Sequence, residues 1–206
     1  MRTYTISELN PEAKEKAIKS IMNDSIFQDK DVDLDWKVEG IEEELEDKFG
    51  LFNVEVSFTG FWSQGDGASF TGRVGDLPRF IRAIGIEDEI PDKIMGALDE
   101  TYHMTIVRID SRYFHENTVR FDIEEMGDPE FVLMSPFEAE DVIVDLNKFL
   151  DEIGFEDKAT RWVKIKSREI YDEIEKAYEG EFSEEAAEEW ADQLEIQFDG
   201  EGNEIN

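Results

Sequence analysis

The spacing of apolar residues changes twice along this chain, and these changes constrain the fold more than any single motif does. Residues 11–24 and 38–49 carry apolar side chains at helical intervals, residues 52–74 and 105–125 follow a period of two, and the chain from residue 135 onward returns to helical spacing. Helical segments at both ends of a strand-rich middle are typical of an α+β protein. We therefore expect a small antiparallel sheet of two hairpins, with about four to five strands, packed with about six helices.

Several of the predicted helices have recognisable ends. Asn10 stands before a proline and is expected to cap the first helix, and Gly50 is expected to end the second helix in the left-handed conformation. Ser183 is placed to cap the last helix. The whole chain, residues 1–206, is predicted to be one domain, with a possible acidic helical subregion at residues 157–206.

The first hairpin is predicted from an alternation that should bury one face of a strand, after which residues 68–74 return as its partner. The second hairpin is predicted to join residues 105–110 to residues 118–125. The inward-facing residues of the first strand are expected to be Phe52, Val54, Val56 and Phe58.

The last third of the chain is predicted to be mainly helical. A stripe that includes Phe137, Val142 and Ile143 predicts a helix from Ser135 onward. The stretch Leu194–Phe198 is expected to add a short terminal strand.

The charge of the chain restricts its partners. With 53 Asp and Glu residues against 21 Lys and Arg residues, the formal net charge is −32. Such a charge repels nucleic acid and anionic membranes, so a macromolecule bound electrostatically must be basic. Because 40% of the residues are hydrophobic and 15 are Phe, the chain is expected to fold rather than remain disordered.

The chain lacks cysteine and long apolar segments, which limits the chemistry it can carry out and the cellular compartment we expect for it. The chain has no cysteine, which excludes disulfides, thiolate zinc sites and cysteine nucleophiles. It has no apolar leader and no apolar run of membrane-spanning length. We therefore expect a soluble, cytoplasmic protein.

The negative charge is concentrated near the C-terminus, next to a short basic run. The stretch Glu169–Asp192 has a net charge of −10 over 24 residues, which in a helix is roughly one charge per 3.6 Å, close to the spacing of about 3.4 Å along one strand of B-DNA. This match predicts a surface that imitates nucleic acid, although a solvated helix face has the same composition. The candidate partner-binding carboxylates are those of Glu169, Asp172, Glu173, Glu175, Glu179, Glu181, Glu184, Glu185, Glu188, Glu189 and Asp192.

Signals for catalysis or for a bound cofactor are weak. The two histidines, His103 and His115, have no spacing that predicts a zinc site or a serine-hydrolase triad. The alternating aspartates of residues 29–35 resemble the start of a calcium loop, but Leu34 stands where that loop requires glycine. We therefore predict no catalytic residue, no metal and no cofactor, and a protein that is not an enzyme.

The glycine-rich segment Ser57–Gly72 is the most unusual local sequence. It places Trp62, Gln64 and Asp66 near the tip of the first hairpin, where they are positioned to contact a partner. The aromatic residues of this segment are equally suited to filling the core beneath a tight turn. The sequence alone leaves both interpretations open.

The same segment, FTGFWSQGDGASF, resembles the SGFWSQGDGASF-like motif of a widespread family of largely uncharacterised phage and bacterial proteins. The opening YTISELNPEAKEKA is similar to the start of these proteins, and the acidic stretch Tyr171–Asn203 is similar to their ending. Some members are labelled antitoxins. The resemblance implies a phage or prophage setting and carries no established catalytic residue.

These observations lead to one main functional hypothesis and two alternatives. The main hypothesis is a phage-type inhibitor whose acidic surface, helped by carboxylates of the second helix, blocks a basic host defence protein or nucleic-acid-processing protein. The first alternative is an antitoxin-like module that binds one protein partner through the hairpin tip. The second is a hydrolase that uses paired carboxylates with a divalent metal.

Overall fold

The computed structural model describes residues 2–109, 112–133 and 142–205. The chain divides into two compact units, which we call the terminal unit (Met1–Asp35 with Ile174–Asn206) and the central unit (Trp36–Glu173). Within the described residues the elements are, in chain order, α1 (Pro11–Met22), α2 (Ser25–Gln28), α3 (Asp35–Phe49), β1 (Leu51–Phe58), β2 (Ala68–Val74), α4 (Leu77–Ala83), α5 (Asp92–Thr101), β3 (Tyr102–Arg108), β4 (Val119–Glu125), β5 (Glu130–Leu133), β6 (Val142–Asp145), α6 (Leu146–Ile153), α7 (Phe155–Gly180) and α8 (Glu184–Gln193).

The prediction of an α+β fold with helices at both ends is confirmed. Among the described residues, β1 to β4 form an antiparallel sheet in the order β1-β2-β3-β4, and β5 pairs with β6 in a second, two-stranded sheet. Both predicted hairpins are present, with Val56 opposite Phe70 in the first and Ile106 opposite Phe121 in the second. No helix in the described part of the chain is long and apolar enough to cross a membrane.

The terminal unit is built around the packing of α1 against α8. Both helices start as predicted: the Asn10 side chain accepts the N–H of Ala13 at 3.1 Å, and the Ser183 hydroxyl accepts the N–H of Ala186 at 3.2 Å. The expected terminal strand is reduced to single bridges from Phe198 to Tyr4 and to Glu204. The buried core of this unit comprises Ile6, Ala17, Ile18, Ile21, Phe27, Ala187, Ala191 and Phe198.

The central unit packs aromatic side chains of its helices against the sheet. Trp162 on α7 lies 5.1 Å from the ring of Phe49, 5.5 Å from Phe80 and 6.2 Å from Phe70, measured between ring centroids. Phe80 in turn stacks on Phe121 of β4 at 5.2 Å. Large rings in contact combine extensive apolar burial with favourable edge-to-face geometry. This cluster therefore fixes α3, α4 and α7 against the sheet.

Two carboxylates of α3 accept hydrogen bonds from β1, the strand at the exposed edge of that sheet. Among the strands that the structure describes, none pairs with the outer side of β1, which leaves backbone N–H groups there without a strand partner. The Glu46 side chain accepts the N–H of Val54 at 3.0 Å, and the Glu42 side chain accepts the N–H of Val56 at 2.8 Å. Glu42 and Glu46 of α3, the second predicted helix, therefore have a structural role in addition to their charge.

The expected alternation of β1 is wrong at Phe52. The ladder is interrupted by a bulge between Phe52 and Glu55, and Asn53 has a φ of +52°. An extra residue in a bulge shifts the side chains before it to the other face. Leu51 and Val54 are buried as a result, whereas Phe52 is 55% exposed.

The predicted helix from Ser135 is confirmed at Leu146–Ile153, which forms α6, but it is wrong at residues 142–145. Val142–Asp145 forms β6, with Val144 opposite Phe131 and Ile143 opposite Val132. Three consecutive β-branched residues favour a strand once a partner strand is present. Residues 134–141, which include Ser135 and Phe137, lie outside the described residues.

Gly50 provides a direct test of the helix-end prediction. Its φ is +68°, and a methyl group at this position would lie 2.6 Å from the carbonyl oxygen of Asp76. We expect Gly50→Ala to lower the free energy of unfolding by at least about 1–2 kcal/mol, because an L-residue is strained in this conformation and has no room. The measurement is the urea unfolding midpoint.

Gly40 is the matched control, since it lies on α3 with nothing within 4 Å of an added methyl group. Gly40→Ala should raise stability by about 0.5–1 kcal/mol. Equal destabilisation by both substitutions would contradict the account of Gly50.

Candidate partner-binding surfaces

The eleven predicted carboxylates of the acidic surface divide between the two units. Glu169, Asp172 and Glu173 lie on α7 in the central unit. The other eight belong to the terminal unit, on the end of α7, in the following turn and on α8. These eight are Glu175, Glu179, Glu181, Glu184, Glu185, Glu188, Glu189 and Asp192.

Four of the eleven carboxylates form internal ion pairs. In the terminal unit Glu188 lies 2.6 Å from Lys14 Nζ and Glu181 lies 3.6 Å from Lys30 Nζ. In the central unit Glu173 pairs with Lys37 and Glu169 with Lys166. Within the described residues, the remaining seven have no Lys or Arg nitrogen within 4 Å.

The clearest acidic stripe lies on α8. Glu185, Glu189 and Asp192 are exposed and follow one another at intervals of four and three residues, which places them on one helix face. Ala187 and Ala191 are buried on the opposite face. The stripe covers about 10.5 Å of helix axis. Like charges at these intervals repel one another, so the stripe does not stabilise the isolated helix.

Two aspartates of the calcium-loop-like stretch at residues 29–35, Asp31 and Asp33, also belong to this acidic surface. Asp31 and Asp33 line a groove of about 280 Å³ together with Glu181, Glu189 and Trp190. We call these four carboxylates and Trp190 the acidic groove. In the sequence, the only sign of Asp31 and Asp33 as part of a site is the alternation of acids just before a predicted helix. The other two carboxylates of the groove, Glu181 and Glu189, lie more than 140 residues further along the chain.

One lysine at the acidic groove is held inside the protein. The Lys30 ammonium lies 4.7 Å from the ring centroid of Phe27, 5.3 Å from Phe182 and 5.7 Å from Trp190, and its side chain is 12% exposed. The negative faces of aromatic rings attract a cation. The three rings and the Glu181 carboxylate therefore compensate the positive charge of Lys30 within the protein. The groove therefore presents a net negative surface to solvent.

Two aspartates of the terminal unit, Asp33 and Asp199, accept hydrogen bonds from nearby backbone N–H groups. Asp33 accepts the N–H of Asp35 at 2.9 Å, where α3 begins. Near the C-terminus, Asp199 accepts the side-chain N–H of Asn203 at 2.8 Å and the backbone N–H groups of Asn203 and Glu201, all of which lower its pKa. The described residues contain no group of three or more His, Asp or Glu side chains placed to hold a metal ion.

The hairpin tip is folded into a defined loop. The Asp66 carboxylate accepts the N–H of Ser63, and the N–H of Thr59 is donated to the Gly67 carbonyl at 3.0 Å. Trp62 has a φ of +68° and is 68% exposed, and Gln64 is exposed beside it. The structure thus places all three predicted residues, Trp62, Gln64 and Asp66, on one loop.

The two interpretations of the aromatic residues each apply to part of this segment. Phe70 is fully buried and plugs the core, while the Phe61 ring lies 5.9 Å from Phe58 and 5.8 Å from Tyr171 of α7. Trp62 projects outward from the same loop. A loop anchored by one ring and presenting the next is preorganised for contact.

The second hairpin supports this loop from one side. A methyl group at Gly67 would lie 2.5 Å from the Cβ atom of His115, so the two loops are in direct contact. Arg108 lies 4.4 Å from the Phe114 ring centroid and donates to Ser57 Oγ at 2.9 Å. His115 is therefore part of a packed loop pair, with its Nδ1 atom accepting the N–H of Asn117 at 3.1 Å.

A polar cavity of about 470 Å³ lies elsewhere in the central unit. Tyr102 donates its hydroxyl to Asn147 Oδ1 at 2.7 Å, and Asn147 donates to Glu125 Oε2 at 3.1 Å. Burial raises the pKa of Tyr102, and the carboxylates of Glu125 and Asp145 raise it further. The tyrosine is consequently neutral over the physiological range. This cavity is lined by the carboxyl groups of Glu125, Asp151, Glu156 and Asp157.

The comparisons with known proteins yield one family. No curated protein matches this chain, and no solved structure matches it. The model of the family described as a domain of unknown function, DUF8835, matches residues 24–184, which include the whole central unit and part of the terminal unit. The phage setting and the antitoxin label expected from the sequence motif stay predictions. This chain belongs to the DUF8835 family of domains of unknown function.

Proposed function

We propose that this protein is a phage-type inhibitor, not an enzyme, which acts in the host cytoplasm by binding a basic host protein through the acidic surface of its terminal unit. The observation that carries the proposal is the meeting of distant carboxylates at one groove: Asp31 and Asp33 lie there with Glu181 and Glu189. The terminal unit as a whole has 20 Asp and Glu residues and only 6 Lys and Arg residues.

The mechanism is competition with nucleic acid. Exposed carboxylates on α8 and around the acidic groove take positions where the Lys and Arg residues of a defence or nucleic-acid-processing protein bind phosphates. Trp190, half-buried at the groove, adds an aromatic surface to an otherwise polar contact. No cofactor takes part in this mechanism. Binding of this kind weakens steeply with salt, because counterions compete for the same charges.

Charge reversal on α8 tests the proposal. We expect Glu185→Lys, Glu189→Lys and Asp192→Lys together to weaken capture of basic, DNA-binding proteins from host lysate by about tenfold or more at low salt. Glu188 is left unchanged because it pairs with Lys14. The measurement is the amount and isoelectric point of captured protein at low and high salt.

A matched control changes the net charge equally at another place. Asp92, Asp99 and Glu100 are exposed on α5 of the central unit, and none forms an ion pair within the described residues. Their replacement by Lys should leave capture nearly unchanged. Equal loss in both triple variants, or capture that is insensitive to salt, would contradict the proposal.

A second candidate function is favoured by the hairpin tip. Trp62 is 68% exposed on a loop whose backbone is already fixed, and a large exposed aromatic residue on a rigid loop is typical of a protein-binding hot spot. In this alternative the protein is an antitoxin-like module that binds one partner through Trp62, Gln64 and Asp66.

Substitution of the hairpin tip distinguishes this alternative. Trp62→Ala with Gln64→Ala should weaken partner binding by about thirtyfold or more if the tip is the hot spot. Trp36 on α3 is 60% exposed and serves as the control, so Trp36→Ala should have little effect. If the pair of tip substitutions has no effect while reversal on α8 abolishes binding, the antitoxin-like alternative is wrong.

A further inference from the structure

A small cavity lies beneath the hairpin loop of the central unit. It has a volume of about 170 Å³ and is lined by the loop between β1 and β2, the loop between β3 and β4, and one face of α7. Neither the acidic groove nor the cavity near Tyr102 includes these residues. The side chains that matter for its chemistry are those of Asp66, Glu116, Ser167, Arg168, Tyr171 and Asp172.

Ser167 is a buried polar residue that lines this cavity. Its side chain is 0% exposed, and its Oγ atom has no hydrogen-bond partner. A serine within a helix commonly donates to the carbonyl one turn earlier, which would satisfy it without a ligand, but this bond is absent. A buried hydroxyl without a partner is costly, because the hydrogen bonds that it makes to water are lost on folding. Since Ser167 lines the cavity, a polar group placed there would satisfy it.

The charges around Ser167 determine the sign of that group. Three carboxylates line the cavity, and the single cation among its lining residues, Arg168, is already bonded through Nε and Nη2 to Glu116 at 3.2 and 3.1 Å. Asp66 binds the Ser63 N–H through Oδ2, while Asp172 has no ion pair within the described residues. The three carboxylates and the one arginine give the cavity lining a formal charge of about −2, which favours a cation over an anion as its ligand.

The shape and the arrangement of acceptors favour one class of cation. The acceptors Asp66, Ser167 and Asp172 come from a loop and from successive turns of a helix, and the Tyr171 ring forms part of the wall. A guanidinium group is planar, donates five hydrogen bonds in fixed directions and stacks on aromatic rings, whereas an ammonium group is a compact point charge. The volume corresponds to about five water molecules, which is more than an ammonium group fills.

We infer that this cavity binds a guanidinium group, donated by an arginine side chain of a protein partner or by a small guanidine compound. The guanidinium donates to the carboxylates of Asp66 and Asp172 and to the Ser167 oxygen, and one of its faces lies against Tyr171. The inference goes beyond the proposed acidic surface, because every residue involved belongs to the central unit. The guanidinium site therefore does not depend on whether charge reversal on α8 weakens the capture of basic proteins.

Titration with matched compounds tests the inference. The probes are N-acetylarginine methylamide, its citrulline counterpart, which is neutral and nearly isosteric, and its lysine counterpart. Backbone amide NMR shifts are followed at Asp66, Gly67 and Ser167. We expect saturable shifts with the arginine compound and binding weaker by about tenfold or more with the other two. Equal binding of the citrulline or lysine compound, or no saturable shift, would overturn the inference.

Variants of the full-length chain locate the site. Asp172→Asn should weaken binding of the arginine compound by about tenfold, and Ser167→Ala should weaken it several-fold without loss of folding, since it removes an unsatisfied hydroxyl. Asp157→Asn is the control: it makes the same change on an exposed residue of α7 that does not line this cavity. If Asp157→Asn weakens binding as much as Asp172→Asn, the assignment is wrong.

A further arm separates the two sources of the guanidinium group. Free L-arginine carries an α-amino group and a carboxylate that a residue within a protein lacks. Tighter binding of free arginine than of the blocked compound supports a metabolite as the ligand, whereas tighter binding of the blocked compound supports an arginine side chain of a partner.

Discussion

Hydrogen bonds from backbone N–H groups to carboxylates are the interaction on which much of this structure depends. A chain with a net charge of −32 repels itself when it becomes compact, and its carboxylates must stay hydrated or find donors. Asp24, Asp76 and Asp145 accept N–H groups at the starts of α2, α4 and α6. Glu42 and Glu46 do the same at the open edge of the sheet. Bonds of this kind are charge-assisted, so part of the acidity stabilises the fold.

Other carboxylates lie at the surface, and they are grouped differently in the two units. In the terminal unit they line the acidic groove and form the stripe on α8, with Lys30 enclosed by aromatic rings. In the central unit, Asp66 and Asp172 line the same small cavity as Ser167, whose hydroxyl is buried. The first arrangement suits an extended basic surface, and the second suits a single planar cation. Both proposals thus rest on how the acids are grouped and not on their total number.

Local sequence patterns correctly predicted the helix ends. They failed where the structure depends on pairing between segments that are distant in the chain. The caps at Asn10 and Ser183 and the left-handed Gly50 are confirmed, since each depends only on residues within one turn. The sequence did not predict the strand β6, because the β-branched run at residues 142–144 is also compatible with a helical stripe until β5 pairs with it. Phe52 was placed on the wrong face, because a bulge cannot be seen in the alternation itself.

The α+β class, the starts of α1 and α8, the hairpin that carries Trp62 and the excess of carboxylates can all be read from the amino-acid sequence. Which of those carboxylates lie together depends on the tertiary structure. Asp33 lines one groove with Glu189, and Asp66 lines one cavity with Ser167, although the residues of each pair are about 100 positions or more apart in the chain. Periodicity describes neighbours along one helix or strand, whereas these groupings follow from the packing of elements that are remote in the chain.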